Sequence, residues 1–251
     1  MASKIYGIKD SANLYINYKS GEKAGKNFLY ADYATVVTND WTSEQVYARS
    51  KNVNAIRWDY NKASTLKVDC EIFDLALLEL VSGSEFAKQA TDIFVREVLP
   101  VSGGKATMTG EAVAGSVLVY TLEDDLTTNS GELTLGEAAG EGKYVISGKE
   151  ITVDASLNDT SIAVFYRKAV AEARVLTIAA DKFPANFEVI ADTCLRSTSG
   201  EDEFVQITYL NCKPKSQFTL TMDANNITTL SVEFDLLKDV ASSDMAVYKL
   251  I

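Results

Sequence analysis

The sequence predicts a mainly β protein that has one short packed helix and a small β-sandwich domain inserted in the middle of the chain. Three observations predict it. Apolar and polar residues alternate with period two along the last third, one dense apolar run breaks that alternation, and a glycine-rich segment begins near Pro100. With 251 residues, of which 47% are hydrophobic and 24% charged, the chain can form one large or two modest globular domains.

Two antiparallel hairpins are predicted near the carboxyl end of the chain, each made of two stretches in which apolar and polar residues alternate. Turn residues separate the two stretches, Ser199 to Glu201 in the first hairpin and Asp223 to Asn226 in the second. The alternating stretches are 187–192 and 205–209 in the first hairpin, and 218–222 and 230–236 in the second.

One segment is predicted to be helical. Between Asp69 and Val81 the apolar residues are too dense for strict alternation, which indicates a helix that is buried on several sides. Asp69 is a suitable N-cap, and Gly83 stands where helices commonly end.

The middle of the chain is predicted to form a separate β-sandwich, because acidic, glycine-rich turns separate short strands there without a helical period. The flanking segments, Thr91 to Val98 and Ala173 to Ile178, are both strand-like, and we expect them to pair and to bring the ends of the insert together. The host domain then comprises residues 1–98 and 171–251, and the insert comprises residues 99–170. The predicted strands of the insert are Val117 to Thr121, Tyr144 to Ser147, Glu150 to Val153 and Ile162 to Arg167.

Composition disfavours several functions. Thirty-five acidic residues against 24 basic ones give a net charge of −11, which opposes binding to the phosphates of nucleic acids. The chain has no histidine, so the usual general base and the commonest metal ligand are missing. No P-loop or calcium-loop motif is complete, and we expect no catalytic residue, metal site or cofactor. No apolar run reaches the ~18 residues of a membrane helix, so we expect no membrane partner.

The three cysteines, Cys70, Cys194 and Cys212, lie far apart in the sequence and form no CxxC motif. Three reduced and mostly buried thiols are the simplest interpretation. A bridge between Cys194 and Cys212 across neighbouring strands stays open at this stage.

A family resemblance is carried mainly by the residues between Ala180 and Ala224. They comprise a KFP turn at Lys182 to Pro184, a strand that runs to Asp192, an acidic glycine turn, a strand at Phe204 to Ile207, and a Lys-Pro step at Lys213. This order resembles the carboxyl-terminal half of bacteriophage tail tube proteins, also called major tail proteins. The stretch LKVDCEIFDLALLELVSG is similar to that family too, and YVISGKEITV resembles the Ig-like inserts of some members.

The resemblance implies a tail-tube-type β-sandwich or barrel with an inserted Ig-like β domain. It implies a structural protein rather than an enzyme, because members form hexameric rings that stack into a tube and conduct DNA during ejection. The expected partners are further copies of this chain, the tape-measure protein, transiting DNA without sequence-specific contacts, and sheath or tail terminator proteins. The expected location is the phage tail of the virion, after assembly in the host bacterial cytoplasm.

Polar residues alternate with apolar ones along the predicted strands, and these polar residues are candidates for the lumen of such a tube. Because the apolar residues face the core of the subunit, the polar residues face either the lumen or the exterior. DNA must slide through without sticking, so we expect carboxylates and hydroxyls there. The candidate lumen-facing residues are Glu188, Asp192, Thr219, Thr221, Glu233 and Asp235.

Residues 38–61 are polar and irregular in pattern, and we predict a long loop there. In the tail tube family a long loop between early strands commonly reaches the neighbouring ring. Aromatic and arginine side chains dominate the energetics of interfaces, so the loop offers four candidate ring-stacking residues. They are Trp41, Tyr47, Arg49 and Trp58, and a loop that packs on its own subunit is the alternative.

A carbohydrate-binding or adhesive β module is the alternative function. Trp41 and Trp58 would then form a platform for a sugar ring, and acidic turns would bind calcium. An acid-pair hydrolase is a third hypothesis, since the separation of two carboxyl groups is a three-dimensional property that sequence does not give.

Overall fold

A computed structural model describes residues 5–8, 10–72, 74–220, 223–225 and 230–251. Within these ranges the protein is mainly β and contains one α-helix, which confirms the predicted fold class. The chain divides into two compact units. Unit 1 comprises Met1–Glu85 and Leu176–Ile251, and unit 2 comprises Phe86–Val175.

The described ranges contain sixteen strands, one α-helix and a short 3₁₀ turn at Ala155–Leu157. In chain order the strands and the helix are β1 (Tyr6–Ile8), β2 (Asn13–Tyr18), β3 (Asn27–Ala31), β4 (Ala34–Ser50), β5 (Val53–Cys70), α1 (Leu75–Ser82), β6 (Ala87–Pro100), β7 (Lys105–Thr107), β8 (Leu118–Leu122), β9 (Asn129–Leu135), β10 (Lys143–Ser147), β11 (Glu150–Thr152), β12 (Ser161–Val175), β13 (Phe187–Ser197), β14 (Asp202–Pro214), β15 (Leu230–Leu236) and β16 (Ala246–Leu250).

Unit 1 is built on one antiparallel sheet with the strand order β3-β2-β13-β14-β15-β5-β4, to which β1 adds at β13 and β16 at β14. Alternate side chains of the central strands are buried on one face, as in β15, where every second residue from Leu230 to Leu236 is buried. Leu77, Leu80 and Val81 of α1 belong to the same core, so the helix packs on the apolar face of the sheet. The opposite face carries the polar side chains.

The predicted helix exists but begins later than expected. It runs from Leu75 to Ser82, and the Asp74 side chain caps it by accepting a hydrogen bond from Ala76 N at 2.9 Å. The prediction that Asp69 is the N-cap is wrong, because Asp69 lies within β5 and pairs with Ser231 of β15. The predicted end at Gly83 is confirmed, since that residue adopts the left-handed conformation and its N–H donates to Glu79 O.

One of the two predicted hairpins forms. Strands β13 and β14 pair as expected around the turn that contains Gly200. The other prediction is wrong in the part of the chain that is described: residues 218–220 form no strand, and β15 pairs with β14 and β5. Thr221 and Met222 lie outside the described residues.

The predicted long loop at residues 38–61 is wrong. These residues form most of a hairpin, because β4 and β5 pair from Ala34 opposite Cys70 to Ser50 opposite Val53. Lys51 and Asn52 turn the chain at its tip with φ values of 48° and 66°. Two consecutive residues with positive φ fit a type I′ turn, whose twist matches that of the flanking strands.

Unit 2 contains seven strands in the order β6-β12-β8-β9-β10-β11-β7, of which only the β9–β10 pair is parallel among the described residues. The four strands predicted for the insert are present, whereas β7 and β9 were not predicted. Strands β6 and β12 pair, but the predicted pairing of Thr91 to Val98 with Ala173 to Ile178 is wrong. Residues 91–98 pair with residues 170–163, because β12 continues back into the unit, and of the second segment only residues 173–175 belong to a strand, opposite residues 89–87. The Ig-like character of the insert and its proposed extent, residues 99–170, stay predictions.

A carboxylate holds the segment after β7 in place within unit 2. Glu97 Oε1 accepts a hydrogen bond from Tyr166 Oη at 2.8 Å, and Glu97 Oε2 accepts one from Thr109 N at 3.0 Å. Thr109 Oγ1 also donates to Glu97, and Gly110 N donates to Tyr166 Oη at 3.1 Å. Burial by itself raises the pKa of Glu97, but the hydrogen bonds from Thr109 and Tyr166 outweigh it and lower that pKa.

We expect Glu97→Gln to destabilise unit 2 by about 1–2 kcal/mol at pH 7. Both carboxylate oxygens accept hydrogen bonds, and in glutamine one of them is replaced by an NH₂ group, which is a donor and would face another donor. A lowered pKa in the folded state means that ionised Glu97 stabilises the fold above its unfolded pKa of about 4.3, and that this contribution is lost as the pH falls. Urea unfolding at pH 7 and at low pH measures both effects. Glu137→Gln, at an exposed site, is the control, and equal stability of Glu97→Gln and wild type at pH 7 would contradict the assignment.

Candidate functional site

The distal part of the β4–β5 hairpin, residues 44–60, is termed the arm. Its side chains are exposed except for Ala48, which is half-buried. An isolated two-stranded ribbon is at best marginally stable in water, so an arm of this kind gains stability when a partner covers it.

The strand register gives the arm an apolar face. Val46 is opposite Trp58, Ala48 is opposite Ile56, and Tyr60 follows Trp58 on the same side. The large side chains of this face are about half exposed: Val46 51%, Ile56 53%, Trp58 51% and Tyr60 51%. A contiguous apolar surface that is rimmed by polar residues is typical of protein–protein interfaces.

The other face of the arm is polar. Gln45 is opposite Asp59, and Tyr47 is opposite Arg57. Arg57 Nη2 lies 2.8 Å from Asp59 Oδ1, and this hydrogen-bonded ion pair raises the pKa of Arg57. Both side chains are well exposed, so the pair contributes little to the stability of the subunit.

The four candidate ring-stacking residues do not share one face. Trp58 belongs to the apolar face, whereas Tyr47 and Arg49 alternate with Val46 and Ala48 and therefore lie on the polar face. Sequence reasoning missed Val46, Ile56 and Tyr60. The alternation of Ile56, Trp58 and Tyr60 with charged and polar residues was the signal that identifies them.

Trp41 lies at the base of the hairpin, outside the arm. Trp41 pairs with Ser64, so its side chain lies on the side of the sheet that carries the hydrophobic core. Trp58 lies on the opposite side, together with Val46. The Lys62 ammonium lies 5.0 Å from the centre of the Trp41 ring. Trp41 and Trp58 therefore do not form the shared sugar platform that the carbohydrate-binding alternative requires.

A second candidate surface is the polar face of the sheet in unit 1. The acids of β13 and β15 alternate with buried residues and lie on the face opposite α1. Four candidate lumen-facing residues, all half-buried, lie here: Glu188, Asp192, Glu233 and Asp235. Thr219 is exposed in a segment without strand structure, and Thr221 lies outside the described residues.

Lysines partly neutralise this acidic face. Lys215 Nζ lies 3.0 Å from Glu233 Oε2 and 3.6 Å from Asp235 Oδ1, and these carboxylates raise the pKa of Lys215. Lys67 Nζ lies 3.2 Å from Asp69 Oδ1. The face is therefore a mixed, moderately acidic surface rather than a purely acidic one.

The three cysteines are free thiols, and Cys70 and Cys212 are buried. Cys194 pairs with Phe204 and Cys212 with Phe187, so the bridge between Cys194 and Cys212 that the sequence left open does not form. Among the described residues, no group of three or more His, Cys, Asp or Glu side chains could hold a metal ion. In the same part of the chain, no helix has the length and apolar character needed to cross a membrane.

The model of the YomU/Tube protein family matches residues 7–251. The chain belongs to the YomU/Tube protein family. A tail tube protein of Bacillus phage SPR is 26% identical over 247 residues, which cover 96% of this chain and 87% of that protein. Membership in the family confirms the resemblance to tail tube proteins and supports a structural role in the tail tube of a phage, with a place in the virion.

Proposed function

We propose that copies of this chain form hexameric rings, which stack into the tail tube and conduct DNA during ejection. The proposal is carried by the exposed apolar face of the arm. Four large apolar side chains are about half exposed there, and a contiguous surface of this kind is typical of a contact with a partner. In this proposal the arm of one subunit docks on a subunit of the neighbouring ring. The proposal includes no catalytic residue, metal or cofactor.

Charge supports a second copy of the chain as the partner of the arm. Within the arm the basic side chains of Arg49, Lys51 and Arg57 outnumber the acidic ones of Glu44 and Asp59, whereas the whole chain has a net charge of −11. A positive projection and an acidic body attract one another, and such attraction speeds association and favours a defined orientation.

The polar face of the sheet in unit 1 is proposed to line the lumen. Half-buried carboxylates such as Glu188 and Asp192 repel the phosphates of transiting DNA, and the ion pairs of Lys215 keep that repulsion modest. The same surface would face the tape-measure protein before ejection. Sheath or tail terminator proteins would contact the tube elsewhere, and assembly would take place in the cytoplasm of the host bacterium.

Electron microscopy and analytical ultracentrifugation of the purified protein over a range of concentrations test the proposal. We expect hexamers or hollow tubes as the concentration rises. A protein that stays monomeric at every concentration, or that assembles into material with a solid centre, would contradict it.

Unit 2 is expected to be dispensable for assembly. Ala87 and Val175 are paired residues at its two ends, so the chain enters and leaves this unit at neighbouring points, and unit 2 has its own hydrophobic core. Replacing residues 86–175 with a short Gly-Ser linker should leave unit 1 folded and able to form tubes. Circular dichroism and electron microscopy measure this, and aggregation of the shortened protein would show that the two units depend on one another for folding.

A carbohydrate-binding role is the second candidate, and an aromatic cluster on unit 2 favours it. The Phe94 and Phe165 rings stack at 6.0 Å between centroids, and Tyr120 meets Phe165 edge-on at 5.7 Å. Phe94 is 67% exposed, so a sugar ring can reach it. A glycan array separates the two roles, since the binding of a glycan that Phe94→Ala abolishes would support this candidate.

A further inference from the structure

The ladder between β4 and β5 is interrupted at the base of the arm. Thr42 pairs with Ala63 and the next regular pair is Glu44 with Tyr60, so β4 contributes only Ser43 where β5 contributes two residues. This is a β-bulge, in which the extra residue bends the strand and increases its twist.

The two residues of β5 that lie opposite Ser43 are Asn61 and Lys62. Asn61 has a φ of 53°, a left-handed conformation that asparagine tolerates better than most residues. Its Nδ2 donates to Glu44 Oε1 at 3.2 Å, which ties the bulge to the first residue of the arm.

Side chains below the bulge fix its position on the sheet. Trp41 Nε1 donates to Asn39 Oδ1 at 2.7 Å, and Asn39 Nδ2 donates to Ser64 Oγ at 2.7 Å and to Thr65 O at 3.0 Å. Ser64 is 4% exposed, so this chain of hydrogen bonds ends in the buried part of the unit. Lys62 covers the ring of Trp41 from the other strand.

We propose that this bulge sets the direction in which the arm leaves the sheet, and that Asn61 and Trp41 are positioning residues for subunit docking. The inference rests on the proposed function, in which the arm reaches a neighbouring copy. Direction matters because the arm is long: a strand of eight residues spans roughly 26 Å, and a 20° change at its base moves the tip by about 9 Å. Such a displacement takes the apolar face of the arm off its docking surface.

Deletion of Lys62 removes the bulge without changing the faces of the arm, because it lets Ser43 pair with Asn61. It keeps Glu44 opposite Tyr60 and leaves the apolar face of the arm on the same side of the sheet. Insertion of one alanine between Thr42 and Ser43 also removes the bulge and keeps Glu44 opposite Tyr60, but it turns the apolar face to the other side of the sheet, because one added residue reverses the alternation along β4. Lys62→Gln, which retains the bulge and loses only the cation, is the matched control.

The direction of the arm is measured between spin labels on the exposed Cys194 and on an Asn52→Cys substitution at the tip, at concentrations too low for assembly. We expect both bulge-free variants to stay folded by circular dichroism and to shift this distance by about 5–9 Å. The Lys62 deletion, which keeps the apolar face on its side of the sheet, should form about tenfold fewer tubes, or none. Lys62→Gln should match the wild type. Asn61→Val should reduce tubes more than Asn61→Gly, since glycine keeps the left-handed conformation and valine opposes it.

Two results would overturn the inference: an unchanged distance in both bulge-free variants, or normal tubes from the Lys62 deletion despite a changed distance. If the wild type itself forms no tubes, the proposed function fails, and the distance measurement still decides whether the bulge directs the arm. If neither bulge-free variant folds, equal numbers of tubes from Asn61→Val and Asn61→Gly would overturn the inference.

Discussion

Trp58→Asp is expected to abolish tube assembly and to leave the subunit folded. Trp58 is 51% exposed in the subunit and lies at the centre of the apolar face of the arm, opposite Val46. Loss of a central tryptophan from an interface commonly weakens the binding free energy by about 2 kcal/mol or more per contact. Burial of an unpaired carboxylate in the interface weakens binding further. Because every subunit of a tube repeats the contact, the effect accumulates. Sedimentation and electron microscopy measure assembly, and circular dichroism measures folding.

Tyr47→Asp is the matched control, because Tyr47 is a similarly exposed aromatic residue on the polar face of the arm. We expect this variant to assemble nearly as well as the wild type. Normal tubes from Trp58→Asp would contradict docking through the apolar face. Loss of tubes from Tyr47→Asp alone would instead place the docking contact on the polar face with Arg49.

Gly83→Ala is expected to give the largest loss of stability of any glycine-to-alanine change in unit 1. Gly83 ends α1 with a φ of 69°, and a Cβ atom there would lie 2.4 Å from Phe183 C and 2.7 Å from Pro184 N. These are backbone atoms, so no side-chain rotation relieves the overlap. We expect a loss of about 3 kcal/mol or more, which lowers the melting temperature by roughly 6–12 °C.

Gly200→Ala separates the overlap from the backbone strain. Gly200 also has a positive φ, of 89°, but a Cβ atom there would have no neighbour within 4 Å. This variant should lose only about 1 kcal/mol, the ordinary cost of placing an alanine in the left-handed region. Equal losses of stability in the two variants would show that the backbone at Phe183 and Pro184 moves enough to relieve the overlap at little energetic cost. Thermal unfolding followed by circular dichroism distinguishes these results.

The arm shows why a strand can be mistaken for a loop. Its charged residues, such as Arg49, Lys51 and Arg57, give the segment a polar composition that is typical of loops. The apolar residues nevertheless recur at every second position on each strand, and the turn at Lys51 and Asn52 joins the two runs. The segment is irregular on β4, because its apolar positions change from odd numbers at Trp41 to even numbers at Val46, level with the bulge, and a single period does not accommodate this change. On β5 the apolar positions stay even-numbered from Ile56 to Leu66.

The start of α1 shows a different limit. Cys70 and Ile72 come shortly before the apolar residues of the helix, so the density of apolar residues alone extends the predicted helix toward its amino end. Pairing of Asp69 with Ser231 assigns it to β5, and that partner lies 162 residues away in the sequence. A local pattern carries no information about such a contact.

Four features could be predicted from the amino-acid sequence: the mainly β class, the end of the helix at Gly83, the β13–β14 hairpin, and the alternating polar positions that include Glu188 and Glu233. Each of these follows from local chemistry, since side chains alternate across a strand and glycine adopts the left-handed conformation at low cost. Two other features required the folded structure: the pairing of β15 with β5 instead of a hairpin partner, and the shared exposed face of Val46, Trp58 and Tyr60. Strand partners and register depend on contacts between distant segments, and a periodic pattern states which face is buried but not what covers it.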